Sequence, residues 1–169
     1  MKKLWYLALL NILIINIFPN LNNAWGQLPF LVNPLIGKPA KSFTLETLSG
    51  KKMSLEEFRE GKKAIVFFWA TWCPHCRQAI TKLNGQKDEL EKKDIRIILV
   101  DIGESKPEVR RYVEMKEIVF DVFLDSDSSV AERYEIIGVP TFYFINKEGI
   151  INDVQHELPR NYDQILSKT

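Results

Sequence analysis

Cysteine and histidine are scarce in this chain: two of each among 169 residues. That scarcity excludes a closed structural zinc site built by one copy, which needs four ligands, usually cysteine or histidine. It also leaves no scope for a disulfide scaffold. Charge of one sign is missing too. Twenty-three Lys and Arg face 22 Asp and Glu, for a net charge of +1, so nothing points to nucleic acid or to a general attraction for acidic surfaces. No basic stripe with interleaved aromatics occurs, no G-x-x-x-x-G-K-[ST] phosphate loop and no internal repeat.

One long apolar run does occur. Lys2 and Lys3 precede Leu4 to Phe18, broken only by Asn11 and Asn16, and Pro19 and an Asn-rich patch up to Ala24 follow. A positive start, a short apolar core and a small residue at the end form the layout of a secretory signal. About 15 residues span roughly 22 Å as a helix, short of a hydrocarbon core of about 30 Å. Residues 1–24 are therefore expected to be a signal peptide cut after Ala24, or else an N-terminal membrane anchor. Asn22 is unusual at the cut, where a small residue is favoured. No cysteine follows the run to carry a lipid. Both outcomes place the folded part outside the cytoplasm, in the periplasm or on the outer face of the cytoplasmic membrane. Residues 25–35 read as a linker and 36–169 as one domain.

The domain alternates in character. "SFTLETLSG" suggests a strand and hairpin, and "SLEEFRE" a short helix with a Ser54–Glu57 capping box. "AIVFFWA" (64–70) is a continuous apolar run of strand length, as in a strand buried on both faces of a parallel sheet, and "IRIILVDI" (95–102) reads as a second buried strand. A helix is expected from Cys73 to about Lys92, and another from Ser105 to about Lys116, with Pro107 in its first turn. "FDVFLD" reads as a strand, followed by a helix capped by Asp125 to Asp127 and ending at Tyr134. "TFYFIN" and "IINDVQHE" read as strands joined by a turn at Lys147–Gly149. A last helix should run from Pro159 to the end. The fold class is α/β: a central mixed sheet covered by helices on both faces.

The chemistry lies in "FFWATWCPHCRQ". A buried strand runs straight into Cys73, and a helix begins there. Backbone N–H groups and the positive end of the helix favour the Cys73 thiolate. Pro74 suits the first helical turn, where a missing N–H costs nothing. Cys76 lies one turn on, placed to resolve a mixed disulfide formed by Cys73. A staple role is weak, because the bridge closes a very short loop and constrains the unfolded chain little. His75 adds a donor or a positive charge beside the thiolate. That stabilises the reduced form and makes the pair more oxidising. Cu(I), which accepts fewer and softer ligands, stays open as an alternative. Pro140 opens a strong strand, the one place a proline fits a central ladder.

Together "FFWATWCPHCRQ", "ILVDIGESK", "FLDSD", "GVPTFYFINKEG" and "IGKPAKSFTLETLSGK" resemble the exported thioredoxin-like proteins of the ResA/TlpA type, over about Ile36 to Glu157. The resemblance implies a thioredoxin-like fold with an N-terminal β-hairpin and an extra strand and helix between Phe120 and Tyr134. It implies thiol-disulfide oxidoreductase activity with Cys73 as nucleophile, Cys76 as resolving thiol and Pro140 as a cis-proline. Val139 would offer backbone hydrogen bonds to an extended substrate peptide, next to Thr141, and Trp72 would shape the surface. No cofactor is implied beyond the Cys73–Cys76 disulfide, and no metal. The implied partners are disulfide-containing exported proteins, apocytochrome c before haem attachment among them, and a membrane thiol carrier supplying electrons.

Three departures stand out. Thioredoxins carry a buried acid six residues before the first cysteine, where this chain has Phe67. Some ResA-type proteins have an acid three residues after the second cysteine, where this chain has Ala79. Glu104 does match the family's acid near the active site, and is the candidate to take the proton from Cys76. It could equally be a solvated acid before a helix. The Pro-His pair between the cysteines resembles strongly oxidising DsbA-type sites, which leaves oxidase as the alternative to reductase. A peroxiredoxin, which shares the lead-in, would need a Thr or Ser poised for peroxide. Thr71 is close, but the dithiol pattern argues against it.

Overall fold

A computed structural model describes residues 33–168. The expected signal or anchor, and the linker up to residue 32, lie outside the described residues. Seven strands form one sheet in the order β2-β1-β5-β4-β3-β6-β7. The strands are β1 (Thr44–Thr47), β2 (Lys52–Ser54), β3 (Lys63–Trp69), β4 (Ile95–Ile102), β5 (Asp121–Asp125), β6 (Thr141–Ile145) and β7 (Ile151–Gln155). β3, β4 and β5 run parallel, while β6 and β7 continue antiparallel on one side and the β1–β2 hairpin on the other. The two runs read as doubly buried strands, β3 and β4, lie at the centre.

Alternate residues of these strands feed two cores. Ile65, Phe67, Trp69, Ile97 and Leu99 face one side, with both cysteines. That side is covered by α2 (Pro74–Gly85), α3 (Lys87–Lys92), α4 (Lys106–Met115) and α6 (Tyr162–Leu166). Ala64, Val66, Phe68, Ile98 and Val100 face the other side, under α1 (Leu55–Arg59) and α5 (Ser129–Arg133). Leu35, just before the domain start expected from the sequence, is buried in this second core. Among the described residues no helix is long and apolar enough to cross a membrane.

Three expected helices differ in the structure. The single helix from Cys73 to Lys92 is two, α2 and α3. Gly85 ends the first, and Gln86 (φ −106°, ψ 6°) leaves helical geometry between them, because glycine is a poor helix former. The last helix starts at Tyr162 rather than Pro159. α5 begins at Ser129 after Ser128, whose backbone is left-handed (φ 60°). The two aspartates still hold its start. Asp125 accepts from the N–H groups of Val130 and Ala131 (3.1 and 2.8 Å), and Asp127 from that of Ser129 (3.1 Å). Ser54 and Glu57 form the expected reciprocal cap on α1.

Candidate active site

β3 delivers Ala70, Thr71 and Trp72 to the start of α2. The Cys73 N–H donates to the Ala70 carbonyl (3.2 Å). Cys73 is the N-cap of α2, Pro74 occupies its first turn, and the Cys76 N–H donates to Cys73 Sγ (3.2 Å). The two cysteines form a disulfide with Cα atoms 5.2 Å apart. Both are buried, Cys76 fully and Cys73 with 3% exposure. Cys73 therefore offers the only sulfur edge a partner can reach. The orphan N–H groups of the α2 N-terminus favour its thiolate once the bridge opens.

A second segment closes the site. The Val139–Pro140 peptide bond is cis. The Val139 carbonyl oxygen lies 3.6 Å from Cys73 Sγ. Thr141 is buried, and its hydroxyl donates to the Gly138 carbonyl (2.7 Å). His156 Nδ1 lies 2.9 Å from the Pro140 carbonyl and 3.2 Å from Thr141 Oγ1. A carbonyl only accepts, so Nδ1 carries the proton. His156 thus braces the loop from β7, a role its sequence position did not announce.

Trp72 is 65% exposed and Ile137 94%. With Ile102, Ala131, Ile136 and Val139 they line an apolar groove of about 270 Å³ beside Cys73. His75, Gln78, Lys82, Pro140 and His156 line a second, more polar groove of about 390 Å³. His75 is exposed at the first turn of α2. The candidate residues Trp72, Cys73, His75, Cys76, Val139, Pro140 and Thr141 are thus gathered around one sulfur pair.

Glu104 lies in this neighbourhood but on a different contact from the one expected. Its carboxylate accepts from the N–H and the hydroxyl of Thr71, both at 2.6 Å. Gly103 makes this reach feasible. Its φ of +72° turns the chain after β4, and a Cβ there would stand 3.3 Å from Ser128 Oγ. The Thr71 hydroxyl is thereby committed to Glu104 rather than directed at Cys73. Arg77 Nε donates to the Thr71 carbonyl (2.9 Å), which ties α2 to the same turn.

Phe67, where thioredoxins place an acid, is wholly buried and stacked on Phe142 at 4.1 Å. The buried acid of this face comes from β4 instead. Asp101 is fully buried, pairs in register with Trp69, and has no hydrogen-bond partner among the described residues. Burial first, and then the neighbouring Glu104, push its carboxyl up to about 9. The signal was present in the sequence as the lone acid of the buried strand 95–102. Among the described residues no three His, Cys, Asp or Glu side chains gather in a way that would hold a metal.

The family model described as AhpC/TSA matches residues 36–154. The chain belongs to the AhpC/TSA family. Within that thioredoxin-like family it is 32% identical over 123 residues to the thiol-disulfide oxidoreductase ResA of Bacillus thuringiensis subsp. konkukian, covering 72% of this chain and 70% of the relative. Among solved structures, a thioredoxin-family thiol:disulfide interchange protein from Chlorobium tepidum superposes with a TM-score of 0.64 at 29% identity, covering 76% of this chain and 92% of that one. The thioredoxin domain of a thiol-disulfide oxidoreductase from Bacteroides vulgatus gives 0.68 at 25%, covering 77% and 94%. The expected thioredoxin-like α/β fold is the observed one. Like these relatives, the chain is a thiol-disulfide oxidoreductase, and Cys73–Cys76 is the dithiol that such chemistry requires.

Proposed function

We propose that this oxidoreductase reduces disulfides in exported proteins outside the cytoplasm, with apocytochrome c before haem attachment as a substrate and a membrane thiol carrier as electron donor. The observation that carries the reading is the setting of Cys73. Its sulfur sits at a helix N-cap, faces the Val139 carbonyl, and adjoins an exposed apolar groove headed by Trp72. An extended, unfolded substrate segment is what such a groove and a loop carbonyl beside the sulfur accommodate. A folded, haem-loaded protein would not offer one.

In the forward cycle the Cys73 thiolate attacks one sulfur of the substrate disulfide. The substrate bond breaks, one substrate thiolate leaves and takes a proton, and a Cys73–substrate disulfide forms. Cys76, one turn on and already near Cys73 Sγ, attacks that bridge and releases the second substrate thiolate. The carrier then restores the dithiol. The apolar N-terminal run, by its layout, supports export with cleavage or anchoring.

His75 favours a second reading, in which the pair oxidises newly exported proteins. The deciding measurement is the Cys73–Cys76 potential in glutathione or dithiothreitol buffers. A value near that of thioredoxin, about −270 mV, supports the reductase. A value near the DsbA end, about −120 mV, replaces it with the oxidase. Stoichiometric Cu(I) held against a competitor, with poor exchange, would select copper carriage over both.

A further inference from the structure

The strand entering the cysteine pair carries no acid, yet the pair does not lack one nearby. Trp69, Asp101 and Leu124 form a row across β3, β4 and β5. Residues in register on parallel strands share a face. Trp69 and Leu124 belong to the core that holds Cys73 and Cys76, so Asp101 points to that side. Neither of its oxygens has a well-formed hydrogen bond among the described residues, nor does Nε1 of Trp69 beside it, although the backbone and carboxyl of Glu104 stand close by. A buried carboxylate with no donor is costly, whereas a buried carboxylic acid is tolerable.

Glu104 stands next to Asp101 and is held by two donors from Thr71. Asp101 is the more buried of the two carboxyls and Glu104 already has two donors, so burial and the neighbouring carboxyl favour the protonated form of Asp101. The other groups around this proton are accounted for. Asp125, at the end of β5, is bound by the Val130 and Ala131 N–H groups. Tyr112 of α4 packs on Trp69 with ring centroids 5.7 Å apart. Arg77 of α2 lies 5.9 Å above the Tyr112 ring and is tied to the Thr71 carbonyl. Tyr162 of α6, in the same core, donates to Glu89 (3.1 Å), and the two cysteines also lie there.

We propose that Asp101, paired with Glu104, is the internal proton store of the cysteine pair. The inference rests on the oxidoreductase reading and specifies how its protons move. When the protein is loaded with electrons, a donor dithiol's thiolate attacks Cys73 Sγ. The Cys73–Cys76 bond breaks, its electron pair leaves on Cys76 Sγ, and that sulfur takes the proton of Asp101. Solvent re-protonates Asp101 past the half-buried Glu104. The donor's second thiol then opens the Cys73–donor bridge, releasing oxidised donor and the Cys73 thiolate. In the reverse direction an ionised Asp101 accepts the Cys76 proton as Cys76 attacks. Burial that lifts the Asp101 carboxyl to about 9 moves it out of the carboxylate range toward that of thiols, so at neutral pH it holds a proton that it can pass to a thiolate.

The test uses the full chain with dithiothreitol as donor. Rates of opening of the oxidised protein are measured from pH 5 to 10 for wild type, Asp101→Asn and Glu104→Gln. The infrared spectrum of oxidised wild type at pH 7, where carboxyls of ordinary acidity are ionised, is recorded alongside. Opening near neutral pH should slow by roughly 100-fold or more in Asp101→Asn, with loss of the high-pH break. Glu104→Gln should move that break to lower pH, since it removes the charge that helps hold the proton on Asp101. The spectrum should carry a protonated-carboxyl band that Asp101→Asn abolishes. An Asp101→Asn profile that superposes on wild type, or a wild-type spectrum without the band, overturns the inference. The spectrum decides even if a variant fails to fold. A wild type that does not exchange thiols at all sinks the oxidoreductase reading itself, which is a different outcome.

Discussion

Asp101→Asn should make the protein more stable, and by an amount that depends on pH. In the native state the Asp101 carboxyl is pushed up to about 9 by burial and by Glu104. In the unfolded chain it returns to about 4. Between these values the native state binds one more proton than the unfolded state, so stability falls as pH rises, by about 1.4 kcal/mol per pH unit. Below about pH 4 both states are protonated and there is no penalty. At pH 7 the penalty from this one group is about 4 kcal/mol, and it stops growing near pH 9. Asparagine never ionises, but its buried amide meets the same lack of partners and costs about 1 to 3 kcal/mol. The net expectation at pH 7 is a gain of roughly 1 to 3 kcal/mol, larger at pH 9 and reversed to a loss at pH 4. Urea unfolding of both proteins at these three values, each with the disulfide intact, reads this directly. A stability difference that stays constant from pH 4 to 9 would refute the buried-acid argument, because only the proton linkage makes it vary.

Other outcomes follow from the same geometry. Cys76→Ala should accumulate a mixed disulfide through Cys73, visible by mass spectrometry after mixing with an oxidised peptide, whereas Cys73→Ser should form none. His75→Pro should lower the pair's potential, since it removes the imidazole at the first turn of α2, and an unchanged value in glutathione buffers would show His75 to be a bystander. Phe67→Ala should destabilise by about 3 to 5 kcal/mol in denaturant, because it removes a wholly buried ring stacked on Phe142. His156→Ala should leave stability nearly unchanged but weaken substrate binding, read as a raised KM, by freeing the Pro140 carbonyl that it braces.

The parts legible in the sequence were those with local causes. Two cysteines at a strand-to-helix junction, a proline opening a strand, two apolar runs and the Ser54–Glu57 cap each carry their reason within a few residues. Helix ends were harder. Nothing apolar marks Gln86 as a break, because Leu83 and Leu90 on either side are both buried in the same core. The groove beside Cys73 was out of reach for another reason: Trp72 and Ile137 are far apart in the chain and meet only once β6 pairs with β3.

Asp101 shows the limit most clearly. Judged by position in the chain, the acid expected before the cysteine pair is absent, since Phe67 fills its place. Judged by position in the sheet, a carboxyl is present on the same face. It comes from β4 and sits one residue pair nearer the cysteines, at the level of Trp69 rather than Phe67. Sequence comparison within one strand cannot see this exchange, because a parallel partner some 30 residues away supplies the group. Yet the physical demand is the same in both arrangements. A buried sulfur that gains or loses a proton needs a partner of matched acidity, and a partner without hydrogen-bond donors acquires that acidity through burial. The aromatic stack at Phe67 and Phe142 then takes up the space where an acid on β3 would stand. Returning an acid to that place should therefore not add function. Phe67→Asp would bury a second carboxyl near Asp101 and break the stack, so it should unfold the domain at neutral pH rather than accelerate exchange. A folded Phe67→Asp protein with faster disulfide opening would mean that the site lacks a proton partner after all, and that Asp101 is not it.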